Sequence, residues 1–432
     1  MAEPIYRLRP GAEEIKPASG PATEVEPGIW VSPGLSNSYL IATADGRVIV
    51  NAGMGFEGPV HRANFDAIDG GPVRYVLLTQ GHYDHVGGID SVRDPDSQIV
   101  AQANWAAWQA DNERLERFRV DNAAFAWMDA IMAALDHARS RVGQAAPSQS
   151  RLDPTVTFDQ TFAFELGGRR FELIATPGGE TTDSMVVWLP DERICLCGNV
   201  FGALFGHIPN LVTMRGDRYR DSLIVIESIE RVQALRPDVL LTGHFEPIRG
   251  AELIDAELTR LRDAVRFVHD ATVAGMNAGT DVATLMADIE LPPELEVGQG
   301  YGKVSWDVRA IWETYAGWFH HRSTTELYAV EPSAVHADLV VLAGGPDRIV
   351  EQAQARLAAD EPLAAIHLAE VARSVAPDHG GARGVLVEAH QHLLAHSQNF
   401  WESAWLRRQL DALVPDTTAP PAGDATRDGD PR

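Results

Sequence analysis

The run Thr79-Gln80-Gly81-His82-Tyr83-Asp84-His85-Val86-Gly87-Gly88 decides how this chain is read. It follows directly on VRYVLLT (Val73 to Thr79), a continuous apolar segment of the kind found in strands buried on both faces. Two histidines and an aspartate within four residues, placed at the end of such a strand, form a donor set that a divalent metal accepts. The two glycines let the chain turn back so that the next helix begins close to the metal. The plainer alternative is a polar loop whose histidines satisfy local hydrogen bonds.

Three more segments weigh against that alternative. They are TPGGETTDS (Thr176 to Ser184), Gly198-Asn199 after the strand RICLC, and TGHFEP (Thr242 to Pro247) after DVLLT. Each lies where a strand ends, so an open sandwich could gather donors from separate loops. Around them, IWVSP, YLIATA and VIVNAG read as paired strands, with Asp45-Gly46 suited to a tight hairpin. TVTF, FAFEL, RFELIAT, MVVWL and RICLC read as further strands, while Asn104 to Val142, 222–235 and Ala251 to Ala274 read as helices. The long first helix carries Trp105, Trp108, Phe118, Phe125 and Trp127, an aromatic stripe that packs or roofs a cleft. Meandering strands followed by alternating strands and helices predict two mixed sheets sandwiched between helices. From 346 to 412 the pattern is helical throughout, in Ala-rich pairs similar to tetratricopeptide hairpins. The Pro-, Gly- and Asp-rich tail after Val414 is expected to be disordered.

Composition narrows the function. The formal charge is −25, which repels polyanions and argues against a nucleic-acid partner. No apolar run approaches the roughly 20 residues that span a bilayer. The first twenty residues lack the apolar core of an export signal, so a cytoplasmic location is expected. The two cysteines, Cys195 and Cys197, share one face of a strand and read as buried thiols rather than a disulfide or zinc site.

The window Gln80 to His85 resembles the H-x-H-x-D-H signature of the metallo-β-lactamase superfamily, with glutamine in place of the first histidine. A narrower resemblance, to the alkylsulfatase branch, rests on LSNSYLI, TPGGE, NLVTMRGDRYRDS, LPPEL…YGKVSWDVRAIWETYAGWF and QNFWESAWLRRQL. It implies an α/β metallo-β-lactamase αββα sandwich followed by a small all-helical domain. The expected divisions are an N-terminal extension (1–27), catalytic domain (28–275), connecting segment (276–345), dimerisation domain (346–413) and tail (414–432). The resemblance also implies a homodimer.

By position, the resemblance gives His82 and Glu180 to one metal, with Gln80 in a histidine's place, and Asp84, His85 and His244 to a second. Asn199 stands where a bridging acid is expected, and Asn51 replaces an aspartate that usually lies beneath the site. Asp183 could add a third carboxylate. Two divalent ions are therefore expected, zinc or iron, since oxygen donors in place of imidazole favour harder ions. Arg215 matches an arginine near the family's sulfate group, and Tyr301 is a second candidate for that pocket. For Arg215 the alternative is an ion pair with Asp217 or Asp221. The implied reaction is attack by a metal-activated hydroxide on an ester-type bond of a hydrophobic small molecule, a sulfate ester or acyl thioester, with Asp84 able to take a proton. A diiron oxygenase on the same fold and a non-catalytic binding protein remain the alternatives.

Overall fold

Period-two alternation sets the architecture of the catalytic part. The computed structural model describes residues 3–68, 70–143 and 148–413, so the expectation for the tail lies outside the described residues. One sheet holds seven strands in sequential order: β1 (Thr23–Glu26), β2 (Ile29–Ser32), β3 (Ser38–Thr43), β4 (Gly46–Val50), β5 (Val73–Leu77), β6 (Gln98–Gln102) and β7 (Val156–Phe158). The other holds β8 (Thr161–Leu166), β9 (Arg169–Ala175), β10 (Met185–Leu189), β11 (Ile194–Gly198), β12 (Val239–Thr242) and β13 (Ile248–Arg249), again in order.

Alternate residues of these strands face opposite layers. Tyr39, Ile41, Val48 and Val50 meet Phe171, Leu173, Val187 and Leu196 between the sheets. Leu40, Ile49 and Val76 turn outwards onto Phe65, Ile89 and Trp105 of the flanking helices. On the far side, Val186, Cys195, Cys197 and Leu240 pack on the helices Ser222–Leu235, Ala251–Asn277 and Val304–Ala316. This is the expected αββα sandwich, and both cysteines are free, buried thiols.

The mixed strand directions place the site. The pairs β4–β5, β5–β6, β6–β7 and β11–β12 are parallel, so the loops that leave β4, β5, β11 and β12 emerge on the same side. Their return to the next parallel strand runs through helices, as such connections require.

By contacts, one unit comprises residues 1–328 together with 398–401, and a second comprises 329–397 with 402–432. In the first unit, Trp401 is fully buried, with Trp127 and Phe125 edge-on to it at 6.4 and 5.8 Å, and Phe400 lies 4.7 Å from Trp127. The second unit is built of helices, with Ala353, Ala365, Ala369, Ala372 and Ala382 at its core, small residues that let helix backbones approach closely.

Candidate metal centre

The motif loop is held by backbone before any side chain acts. His82 precedes the one-turn helix Tyr83–Val86 in an extended conformation, which turns Asp84 and His85 to the same side. The His85 carbonyl accepts from Ala52 N at 2.6 Å, and Ser36 Oγ donates to the Asp84 carbonyl. Gly88 is required here: a Cβ would lie 2.2 Å from the Ala52 carbonyl oxygen. The His244 loop is fastened from the first sheet, with Asn37 Nδ2 donating to the carbonyls of Thr242 (3.1 Å) and Phe245 (2.8 Å) and Tyr39 Oη donating to Thr242 (2.7 Å). Asn37 and Tyr39 lie in the LSNSYLI segment, quoted above only for its resemblance.

These loops bring Asp84, His85 and His244 together. One donor atom from each lies within 4.8 Å of the others, and among the described residues this is the one such group of histidine, cysteine or acidic side chains. His85 Nε2 stands 3.2 Å and His244 Nε2 4.0 Å from Asp84 Oδ2. His85 Nε2 is buried without a hydrogen-bond partner. Two imidazoles and one carboxylate with a side open to a cavity match what a catalytic metal takes from a protein. Burial alone would raise the Asp84 pKa, but His85, then His244 and His82, outweigh it and keep the carboxyl ionised far below its usual range. Burial brings His244 down to about 4.

Asn51 sits beneath His85. Its Oδ1 accepts from Thr79 N and Thr79 Oγ1, both at 3.0 Å, so Nδ2 faces His85 Nδ1 at 3.1 Å. An amide donating to Nδ1 leaves the proton on Nε2, the nitrogen that faces the group. For His85 to offer a lone pair to an ion, the amide must turn over and release the Thr79 N–H.

The donors expected for the other ion are arranged differently. Gln80 Oε1 accepts from Asn199 N at 3.0 Å, and Gln80 Nε2 lies 3.2 Å from His82 Nδ1. Arg215 Nη2 donates to His82 Nε2 at 2.7 Å. Glu180 Oε1 accepts from Arg220 Nη2 at 2.9 Å and stands 3.5 Å from His82 Nδ1, while Glu180 Oε2 is buried without a partner. Asn199 Nδ2 donates to His244 Nε2 at 3.2 Å, so Asn199 touches the trio rather than a second position. Asp183 is turned away behind Gly81, where Thr181 Oγ1 donates to it at 2.5 Å, and burial raises its pKa to about 6.

Arg215 does pair with Asp217, at 2.8 Å, but within the pocket rather than on the surface. Asp221 instead caps the helix Ser222–Leu235. Asp217 also receives Arg119 Nε at 3.1 Å. Burial opposes the charge of Asp217, but Arg215 and His82 override it and hold its pKa far below the carboxylate range. Arg119 and Arg220 were not singled out from the sequence, and Asp217 was named there only as a partner for Arg215. Their signal was faint: Arg220 follows Arg215 in MRGDRYRD, and Arg119 is hidden within a helix that reads as aromatic packing.

A cavity of about 210 Å³ opens on Asp84 and His244. Asn112, Glu116, Arg119, Val120, Ala123, Trp127 and Ile131 line it, recurring at helical spacing along the helix Trp105–Val142. The aromatic helix is thus a cavity wall, polar from Asn112 to Arg119 and apolar from Val120 to Ile131. Tyr301, stacked on Phe400 at 6.0 Å, closes another side, and burial raises its pKa to about 12. His207 accepts from Gly300 N at 2.9 Å and does not line the cavity.

Residues 31–244 match the metallo-β-lactamase superfamily and residues 281–411 match the alkyl sulfatase dimerisation family. The chain thus carries a metallo-β-lactamase domain followed by an alkylsulfatase dimerisation domain, and its homologues are alkylsulfatases. It is 26% identical over 394 residues to a linear primary-alkylsulfatase of Pseudomonas sp., covering 86% of this chain and 73% of that one. An alkyl/aryl-sulfatase of Saccharomyces cerevisiae is 25% identical over 304 residues, covering 65% of this chain and 46% of the yeast protein. The solved structure of an inverting sec-alkylsulfatase from Pseudomonas sp. superposes with a TM-score of 0.79 at 20% identity, over 92% of this chain and 66% of that one. The hydrolase class expected from the motifs agrees with these relatives, and the superfamily implies a divalent metal. No helix among the described residues is long and apolar enough to cross a membrane.

Proposed function

We propose that this chain is a metal-dependent hydrolase that releases sulfate from an ester of an apolar alcohol. The observation that carries the reading is the cavity, which joins the Asp84–His85–His244 group, the guanidiniums of Arg119 and Arg215 and a long apolar wall. A thioester offers those guanidiniums no charged atom at the bond cleaved, whereas a sulfate ester brings an anion to them. The named relatives support the same choice.

Asp84, His85 and His244 would hold the ion, which supplies Lewis acidity and lowers the pKa of nearby water. Zinc is the ion proposed, because two imidazoles and a carboxylate suit it. Arg215, kept charged by Asp217 and Glu180 against the cost of burial, orients the sulfate group and stabilises the charge that grows on the departing oxygen. The ionised Asp84 carboxylate accepts the proton of the attacking water. Val120, Ala123, Trp127 and Ile131 take the apolar part and keep solvent from the reacting bond. The dimerisation segment supports a homodimer, and the second unit exposes Val341 and Leu342 almost fully, as an apolar contact surface would.

The test is release of inorganic sulfate from decyl and dodecyl sulfate by the zinc-loaded chain, beside thiol release from long-chain acyl-coenzyme A. Turnover of the thioester alone replaces the sulfate reading. The same three donors also suit iron(II), so the metal content of the purified protein is measured as well. Bound iron with dioxygen-dependent turnover would replace the hydrolase by an oxygenase.

A further inference from the structure

We infer that this chain holds a single metal ion, at Asp84, His85 and His244, and that its own arginines fill the neighbouring position where the superfamily places a second. The inference rests on the trio being a metal site and concerns what stands beside it.

The residues at that neighbouring position do not make a metal site. His82 accepts the Arg215 guanidinium on Nε2, and its Nδ1 lies 3.2 Å from the Gln80 amide nitrogen and 3.5 Å from Glu180. Both ring nitrogens are thus engaged by side chains of this chain. Gln80 spends its carbonyl oxygen on the Asn199 backbone N–H, which tethers the loop after β5 to the loop after β11. Glu180 has one oxygen on Arg220 and one without a partner. A single free carboxylate oxygen falls well short of the three protein ligands that a catalytic ion keeps.

Charge leads to the same conclusion. Arg119, Arg215 and Arg220 face Asp217 and Glu180 within this cluster, three guanidiniums against two carboxylates. The cluster is already net positive, so a dication entering it meets repulsion instead of the uncompensated carboxylates that attract one. The parts also brace each other: Asp217 takes Arg119 on one oxygen and Arg215 on the other, and Arg119 donates to Asn112 as well.

The two positions therefore differ in what an ion must displace. At the trio, two neutral amides have to give way: that of Asn51 turns over beneath His85, and that of Asn199 releases His244 Nε2. At the neighbouring position, a guanidinium has to leave a buried network of ion pairs. Gln80 and Asn199 fit the same account: with no second ion to hold, neither an imidazole at 80 nor a bridging carboxylate at 199 is required, and both amides make hydrogen bonds within the chain instead. The positive centre in the second position is thus fixed in the chain and cannot be removed by chelation.

The experiment is metal stoichiometry on the full chain. Chelator-treated protein is reloaded with excess zinc, and separately with iron(II) without air, then desalted and measured by plasma mass spectrometry against amino-acid analysis. One ion per chain is expected with either metal. His244→Ala should lose that ion, while His82→Ala and Glu180→Gln should each keep it, with circular dichroism confirming that the variants are folded. Two ions per wild-type chain, or loss of the ion in folded Glu180→Gln or His82→Ala, overturns the inference and leaves the metallohydrolase reading standing. No ion in the wild-type chain overturns both, and this result needs no variant to fold.

Discussion

Replacing Asn51 by aspartate should tighten metal binding at the trio about tenfold to a hundredfold, the range over which partners behind metal-binding histidines act. Asn51 is 1% exposed and already in place, with Oδ1 fixed by two donors from Thr79 and the other end of the amide 3.1 Å from His85 Nδ1. In the native chain an ion can use His85 Nε2 only if that amide turns and the buried Thr79 N–H loses its acceptor, a loss of about 1–3 kcal/mol. A carboxylate removes this cost, because one oxygen keeps the Thr79 donors and the other accepts the proton of His85 Nδ1. At about 1.4 kcal/mol for each factor of ten, the gain corresponds to one to two decades of affinity. Without metal the buried charge should instead lower stability, so the apo variant should melt below apo wild type and the difference should shrink on loading. The assay is competition for zinc against a chromophoric chelator at pH 7, with thermal melts followed by circular dichroism. Equal or weaker zinc binding by folded Asn51→Asp would refute the assignment of the His85 tautomer and of Asn51 as its determinant.

Other expectations follow from the same contacts. His85→Ala and His244→Ala should each abolish sulfate release while the chain stays folded, since loop donors contribute little to the core; full activity in either purified variant defeats the site. Arg215→Leu should lower kcat/KM on dodecyl sulfate by about a hundredfold, the usual effect of removing one donor to developing charge, with Arg215→Lys falling less; equal rates for all three would place Arg215 outside the reaction. His61 is buried, with Ser32 Oγ at 2.8 Å from Nδ1, and burial lowers its pKa to about 4 from 6.5. The unfolded chain therefore takes up the proton first, so His61 contributes stability above pH 6.5 that is lost as the pH falls to about 4. That amounts to about 3 kcal/mol at most. Urea midpoints of wild type and His61→Gln should accordingly converge across this window, and a constant gap would show that His61 does not titrate there. Light scattering should find the intact chain dimeric at micromolar concentration, and a monomer would return the apolar surface of the second unit to some other role. Truncation after Glu331 would be a poor test, because it also removes Phe400 and Trp401 from the cluster on Trp127.

How much could be read in advance follows the range of the interactions involved. Strand and helix positions, the two-sheet sandwich and the motif of His82, Asp84 and His85 were legible in one dimension, while the grouping of His244 with Asp84 and His85 came from the family resemblance. Side-chain alternation is a local property, and a metal motif at a strand end keeps its spacing whatever surrounds it. The helix Trp105–Val142 was legible as a helix, but its aromatic residues drew attention from the face that matters. Asn112, Arg119, Val120 and Trp127 line a cavity only because the fold lays that face over the loops of β5 and β12. The departures at Gln80 and Asn199 were visible in the sequence as neutral amides where an imidazole and a bridging acid are expected. What replaces the missing donors was not visible, because Arg215 meets His82 across 133 positions, Arg220 meets Glu180 across 40, and Arg119 reaches Asp217 from another helix. No periodicity or spacing records such pairs. Sequence alone singled out candidate metal donors; only the tertiary structure brings guanidiniums onto two of them, His82 and Glu180, and leaves Asp84, His85 and His244 grouped together, because such contacts join residues far apart in the chain.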